Sequence, residues 1–339
     1  MSMTIHDYIS YSFKCRGEVK PETRMYIEEI HNQVIERMTF GFPLVHFDSY
    51  NIQSAIVSLP TSSGEEYYNL VDHSMVKYIC ELLCCLEMNH RTLMQLLFIS
   101  IKKSIATANG DEVAASNNYL RSIFLTERDL DIDEFWQSYM YNDEIQEKLR
   151  MMFRFHFLHE YAHFLTEKPL RAVNGEIFMN TVATAHFDKL MNRSRNVLYK
   201  AYTAYHKKKY MNDKSLREEI NCDLQAALCL LELSDTVPVQ LIMDAVISYL
   251  LMQYAIVVAK NPNELKRPSF GSTLRIGMMV TLAEMLGDKE TSAVIAKMLN
   301  QGNRYLNLSD LFCEKLSIQK YQNFLEAIRI IVADDLQNR

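Results

Sequence analysis

Turn-forming residues are scarce in this chain. It has nine glycines and seven prolines among 339 residues, where ordinary usage of about 7% and 5% would give about 24 and 17. A sandwich, barrel or propeller needs frequent turns, so the scarcity argues against all three and predicts long helices joined by short links. The seven cysteines contain no Cys-x-x-Cys pair, which removes the usual zinc-thiolate arrangement. The most apolar stretch, Ala245–Ala259, is about five residues short of a bilayer span and carries Ser248 and Gln253. It reads as a buried core helix, and no membrane partner is expected. The opening residues, Met1–Asp7, have neither a basic start nor an apolar run, which predicts no secretory signal. The net charge of −6 lacks the basic excess of a nucleic-acid coat, so no nucleic-acid partner is expected.

What is present points to a packed core. Hydrophobic residues make up 48% of the chain and charged residues 23%, which excludes a disordered polymer. The length suits one large domain or two closely packed ones. Here it divides into an N-terminal α+β region, 1–140, and a helical metal-binding region, 141–339. The fold class is mainly α (α+β). Leu44–Phe47, Ile52–Leu59 and Tyr67–Val71 are short apolar or alternating runs separated by turn-like residues, and they predict a small antiparallel β meander. Helices are expected over 21–39, from Asp72 through Leu86, and over 91–108, 112–125, 142–168, 174–191, 195–210, 215–234, 238–260, 272–286, 289–300 and 317–336. Cys15, Cys80, Cys84, Cys85, Cys222, Cys229 and Cys313 are odd in number, with four at helical positions among Leu and Ile. They read as reduced core residues of a cytoplasmic protein.

The stretch that carries chemistry is Phe157-Leu158-His159-Glu160-Tyr161-Ala162-His163-Phe164-Leu165, which contains His-Glu-x-x-His. On a helix, His159 and His163 lie one turn apart on one face and can reach one metal ion. Glu160 is rotated about 100° from His159, which suits a carboxylate beside a metal-bound water rather than on the metal. Zinc brings the pKa of such a water toward about 7, and the carboxylate takes its proton. Composition predicts about 0.02 chance occurrences of the motif in a chain with ten His. No charged residue other than Glu160 falls between Phe155 and Thr166, counting His as neutral. Phe157, Tyr161 and Phe164 occupy the arc that Gln146, Glu147, Arg150 and Arg154 occupy earlier in the helix, so its second half is expected to be buried all round.

A catalytic zinc needs a third protein ligand and an open position. Thr166 and Pro169 stand where a metzincin would carry Gly and a third His. A better candidate lies in Arg217-Glu218-Glu219-Ile220-Asn221-Cys222-Asp223. On a helical wheel with Leu216 at zero, Glu219 falls at about −60° and Asp223 at about −20°, among Leu216, Ile220, Ala227, Leu230 and Leu231. Glu218 falls at about 200°, among polar residues. Two carboxylates on a buried face are costly unless they meet a metal or a cation. Glu219 is therefore the candidate third ligand, and Asp223 the group that orients His159 or His163 through the free ring N–H. A buried ion pair with an Arg or Lys from another helix is the alternative. Glu176 and His186 come next as ligands.

His-Glu-x-x-His followed by Glu-x-x-x-Asp on a second helix resembles the gluzincin class of zinc metallopeptidases. The likeness covers Phe157–Leu165 and Glu219–Asp223. The wording His-Glu-Tyr-Ala-His-Phe-Leu with a later Glu-Glu-Ile-Asn-Cys-Asp-x-x-Ala is also similar to the phage-exclusion peptidases, which cleave a host translation factor. The resemblance implies a zincin-like helical core, Zn²⁺, and hydrolysis of a peptide bond in a protein or peptide substrate, with Glu160 as general base. It also implies an upstream strand that pairs with the peptide, Ile56–Leu59 or Tyr67–Val71, and an oxyanion donor, for which Arg275, Tyr249 and His206 are candidates.

Other signals remain. His156 shares the face of His159 and His163. Glu28/His31, Glu87/His90 and Glu160/His163 each read Glu-x-x-His, the spacing of di-iron carboxylate bundles. A helical scaffold that binds a partner without turnover is a further alternative. Residues 189–217 hold nine Lys/Arg and one acid, a local charge of +8 that leaves −14 for the remainder. Lys207–Lys209 within it suit an acidic partner, although such a run is more often a solvated helix face. The oligomeric state is left open.

Overall fold

The computed structural model describes residues 3–36, 38, 41–62, 64–88, 91–126, 142–165, 175–193, 197–234, 236–261, 270–285 and 327. Among them the chain is mainly helical with one small sheet, an α+β protein as the turn scarcity predicts. The order is α1 (Ile5–Ser12), β1 (Cys15–Gly17), α2 (Pro21–Ile35), β2 (Leu44–Ser49), β3 (Ala55–Thr61), β4 (Gly64–Asp72), α3 (His73–Met88), α4 (Arg91–Ala108), α5 (Glu112–Thr126), α6 (Asp143–Leu165), α7 (Gly175–Arg193), α8 (Val197–Asn212), α9 (Lys214–Leu233), α10 (Val239–Lys260) and α11 (Phe270–Met285). Two compact units separate among these residues. One holds 3–153 and 255–261, the other 154–254 and 270–285. The boundary expected at 140/141 and the helices expected over 289–300 and 317–336 lie outside the described residues.

In the first unit, α1 begins at a capping box that the periodicity did not reveal. Thr4 Oγ1 accepts from Asp7 N at 3.2 Å while Asp7 Oδ2 accepts from Thr4 N at 3.1 Å, satisfying two terminal N–H groups. Ile9 of α1 joins Phe47 and Leu70 in a small core against the sheet, with Phe13, Val45 and Val57 around it. The three expected strands form, but not as an antiparallel meander. The sheet order is β1-β2-β4-β3, with β2 parallel to β4 and β3 antiparallel to it. Burial explains the correction. Leu70, Val71 and Asp72 of β4 are buried, so β4 takes the interior position. β3 carries Pro60, which cannot donate to a ladder, and takes the edge. Of the two runs considered for peptide pairing, only the one in β3 therefore has a free edge. Gly64 opens β4 at φ 136°, a conformation that strains any L side chain.

Asp72, fully buried at the end of β4, joins the parts of this unit. Its carboxylate accepts from Ser49 N at 3.1 Å, Ser49 Oγ at 2.5 Å, Gln53 N at 3.1 Å and Ser74 N at 3.0 Å. It thus ties β2, the 50–54 loop and the first turn of α3 to β4. Nearby, His46 Nδ1 is 2.8 Å from His73 Nε2, and His46 Nε2 is 3.4 Å from Glu28 Oε1. His31 is buried within reach of the charge on His46.

Cys80, Cys84, Cys85 and Cys222 are free and buried, as expected of core thiols. Cys15 is not: it is exposed on β1, because that three-residue edge strand has no layer over it. Cys313 lies outside the described residues. α10 has 22 residues, as the helix expected over 238–260 predicts, and a mean hydropathy of 1.9 over its apolar window. It is long and apolar enough to cross a membrane, yet 78% of that window is buried inside the protein.

Two predictions follow from the first unit. Asp72→Ala strands the buried Ser49, Gln53 and Ser74 donors, and should lower stability by about 3–4 kcal/mol. A shift below about 1 kcal/mol in urea denaturation would show that water replaces the carboxylate. Burial, then the charge on His46, holds both His31 and His73 near pKa 4. The unfolded chain binds these protons near pH 6.5, so their share of stability is full above that value and falls as pH drops toward 4. His31→Gln should flatten the dependence of unfolding free energy on pH in that window by about one proton; an unaltered slope would contradict the assignment.

Candidate metal centre

α6 positions the motif. Asn142 Oδ1 caps it, accepting from Glu144 N at 2.9 Å and Ile145 N at 3.3 Å. Its second half is less enclosed than the pattern suggested. Phe155, His156, Phe157, Leu158, His159, Tyr161 and Ala162 are buried, but Glu160, His163 and Phe164 are only partly covered. One strip of the helix is therefore accessible, and it carries the carboxylate and one imidazole of the motif.

α9 supplies the facing groups. Asp213 caps it, accepting from Leu216 N at 3.0 Å. Leu216, Ile220, Ala227, Leu230 and Leu231 bury the expected face. Asp223 lies on that face with no exposure, Glu219 at its margin is 37% exposed, and Glu218 points to solvent.

These helices bring His159, His163 and Glu219 together, the only such group of three His, Cys, Asp or Glu among the described residues. His159 Nε2 and His163 Nε2 are 3.1 Å apart. Glu219 Oε1 is 3.3 Å from His163 Nε2, and Glu219 Oε2 is 3.6 Å from His159 Nε2. In a tetrahedral site with ligand bonds of about 2.0–2.1 Å, donor atoms stand about 3.3–3.4 Å apart. The nitrogen pair is close to that edge, the carboxylate faces each nitrogen with a different oxygen, and one donor atom from each residue lies within 4.8 Å of the others, so the three side chains fit around one metal ion.

Asp223 connects this group to the rest of the unit. Its Oδ1 is 2.9 Å from His159 Nδ1, an ion-pair contact rather than an aligned hydrogen bond. Arg275 of α11 grips the same carboxylate with both prongs, Nε to Oδ2 at 2.6 Å and Nη2 to Oδ1 at 2.8 Å. Its Nη1 is 3.2 Å from Glu219 Oε2. Burial alone would raise the pKa of Asp223, but the charges of Arg275 and His159 overcome it and hold it at about 2. Burial would likewise lower His159, but the Asp223 charge and the contacts with Asp223 and Glu219 raise it to about 9. His163 moves the other way, lowered by burial and by the charge on His159.

The remaining candidates separate. Arg275 is engaged by Asp223 and Glu219, so the buried ion pair weighed as an alternative to metal binding exists beside the donor group. Tyr249 Oη lies 2.7 Å from His156 Nδ1 and accepts from Gln253 Nε2 at 2.9 Å. His156 is thus tied to α10 and is not among the three converging donors. Sequence reasoning missed this Tyr249–Gln253 pair. Polar residues four apart in an otherwise apolar run were its only signal. Glu160 lies outside the three-donor group, 3.9 Å from His156 Nδ1. His186 Nδ1 lies 3.0 Å from Thr281 Oγ1, and its ring packs so closely on Gly277 that a Cβ there would stand 2.6 Å from Cε1. The side chains of Glu176 and His206 are outside the described residues. Of the di-iron pairs, Glu28 bonds Arg24 at 2.9 Å, and Glu87 accepts from the buried Lys148 at 2.5 Å; His90 is outside the described residues.

No family model, curated protein or solved structure matches this chain.

Adjacent glutamates should behave differently. Glu219→Ala should remove bound metal, whereas Glu218→Ala should retain it and change stability by about 0.5 kcal/mol or less. Asp223→Ala leaves Arg275 and His159 without their carboxylate and should cost about 3–5 kcal/mol. Metal content after dialysis and urea melts check all three. Metal loss in Glu218→Ala with retention in Glu219→Ala would invert the assignment.

Proposed function

We propose that the chain is a zinc-dependent metallopeptidase that hydrolyses a peptide bond in a protein substrate. The carrying observation is the donor triangle. On two helices, two imidazole nitrogens stand 3.1 Å apart and the Glu219 carboxylate faces both, one oxygen 3.3 Å from His163 Nε2 and the other 3.6 Å from His159 Nε2, close enough for one ion to meet all three side chains. His159, His163 and Glu219 would hold the ion, leaving the fourth corner to solvent. A zinc ion there supplies Lewis acidity and brings a water toward a pKa of about 7.

The protein's own groups do the rest. Glu160, next to His159 but outside the ligand group, takes the proton of the attacking water and passes it to the leaving amine. Its partial exposure, shared with His163, is what a substrate needs to reach it. Asp223 fixes the ring of His159, and Arg275 balances the two carboxylates. Of the oxyanion candidates, Arg275 is the one in contact with a proposed ligand, its Nη1 3.2 Å from Glu219 Oε2, while Tyr249 Oη contacts His156 and Gln253. Free cysteines among the described residues suit a reducing, cytoplasmic setting.

Glu160→Gln tests the chemistry apart from metal binding. The variant should keep about one zinc per chain while hydrolysis falls by about 10²–10⁴. Zinc retained with full hydrolysis would remove Glu160 from the mechanism. No hydrolysis by the unaltered zinc-loaded protein, against a proteome read by new N-termini, would favour the non-catalytic scaffold. Two irons per chain would favour the di-iron bundle.

A further inference from the structure

The unit that holds the donor triangle also holds a basic cleft. Where α8 passes into α9, Tyr205, Lys208, Lys209, Asn212, Asp213 and Lys214 line an open depression of about 580 Å³. The three lysines, Tyr205 and Asn212 are exposed. The single carboxylate in the lining, Asp213, is committed to capping α9 through Leu216 N. Three lysines, a tyrosine and an asparagine thus line the cleft beside the positive end of the α9 dipole. The surrounding segment, 189–217, carries nine Lys/Arg and one acid in a chain of net charge −6. That segment sums to +8, and the remainder of the chain to −14.

Position gives the cleft its meaning. Lys214 opens the helix that carries Glu219 five residues later, about 7.5 Å along the axis. An extended polypeptide advances about 3.3 Å per residue. Five residues also turn the helix by about 140°, which on a cylinder about 10–12 Å wide sets the Lys214 and Glu219 side chains about 13 Å apart, a gap of about four extended residues that the length of the lysine side chains widens to about three to six.

We propose that this cleft docks an acidic segment of the protein substrate, with Asp or Glu side chains about three to six positions from the bond cleaved. This rests on the metallopeptidase function above. A polypeptide fits better than a nucleic acid. The cleft has room for a few side chains, and it offers one exposed ring, Tyr205, where single-stranded nucleic acid is usually held on successive aromatic platforms. Lys207 is outside the lining and lies 3.9 Å from Asp188, so it is left out of the site.

The test uses the full chain and a fluorescein-labelled hexaglutamate peptide, read by anisotropy at low salt. The unaltered protein should bind it, and affinity should fall about tenfold or more as salt rises from about 20 to 200 mM. Lys208→Gln/Lys209→Gln/Lys214→Gln should weaken binding about tenfold or more and flatten the salt response. A charge-matched control in the other unit, Lys20→Gln/Lys77→Gln/Arg121→Gln, should change binding less than about twofold. Equal loss in both variants would reduce the cleft to bulk charge and overturn the site. Tighter binding of a labelled single-stranded hexanucleotide than of hexaglutamate would overturn it in favour of nucleic acid. Cleavage is read separately, with peptides bearing a Glu triplet at successive distances from the cut. A kcat/KM maximum with the triplet three to six positions away is expected, and no dependence on the triplet would overturn the substrate assignment. Hexaglutamate bound by the cleft lysines, with no peptide cleaved by zinc-loaded protein, would overturn the peptidase function while leaving the cleft as an acidic-peptide site.

Discussion

A carboxylate with no solvent exposure is the fixed point of the second unit. Asp223 cannot stay ionised on the buried face of α9 without cations, and two helices supply them: Arg275 from α11 through a two-pronged contact, and His159 from α6 through its Nδ1 side. Removing either partner leaves a buried charge uncompensated. The constraint runs both ways. The carboxylate fixes the ring plane of His159, and so decides where its Nε2 points. That direction brings His159 toward His163 and Glu219. The position of the candidate centre thus follows from the burial of one aspartate outside it.

The charge balance around this point favours a further cation. Glu219 and Asp223 bring two negative charges, and Arg275 returns one. In the metal-free chain the deficit is met by a proton on His159, whose pKa is raised to about 9 after the carboxylates outweigh burial. A metal ion would take the place of that proton and add charge next to Glu219, the more exposed of the two carboxylates. Ligand uptake and proton release are then one event, as they are wherever an imidazole must be neutral to ligate.

The first unit reaches order by a related device. Asp72 is buried where β4 meets α3, but hydrogen-bond donors rather than cations surround it. Its four contacts hold a mixed sheet in which the strand with the most buried residues is interior and the proline-bearing strand is at the edge. The buried histidines beside it are kept neutral by the same low polarity. One unit therefore solvates its central carboxylate with N–H and O–H groups, and the other with charge. Among the described residues, only the second arrangement brings three His or carboxylate donors together as one group.

Local periodicity was legible without coordinates. Few glycines and prolines predicted the helical class, and the i, i+4 spacing placed His159 and His163 on one face. The phase of α9 separated Glu219 from Glu218, because a helix turns about 100° per residue whatever surrounds it. Pairings between distant segments were not legible. The alternation in β2, β3 and β4 showed three strands but not that β2 and β4 run parallel, since pairing order depends on which strand the core covers. Arg275 stood out as a cation in α11, yet its grip on Asp223 exists only because α11 packs on α9. Tyr249, which accepts from Gln253, gained its partner His156 only when α10 met α6. Backbone geometry, carried by each segment alone, decided which residues share a face. Burial and packing, properties of the folded chain, decided what each face meets.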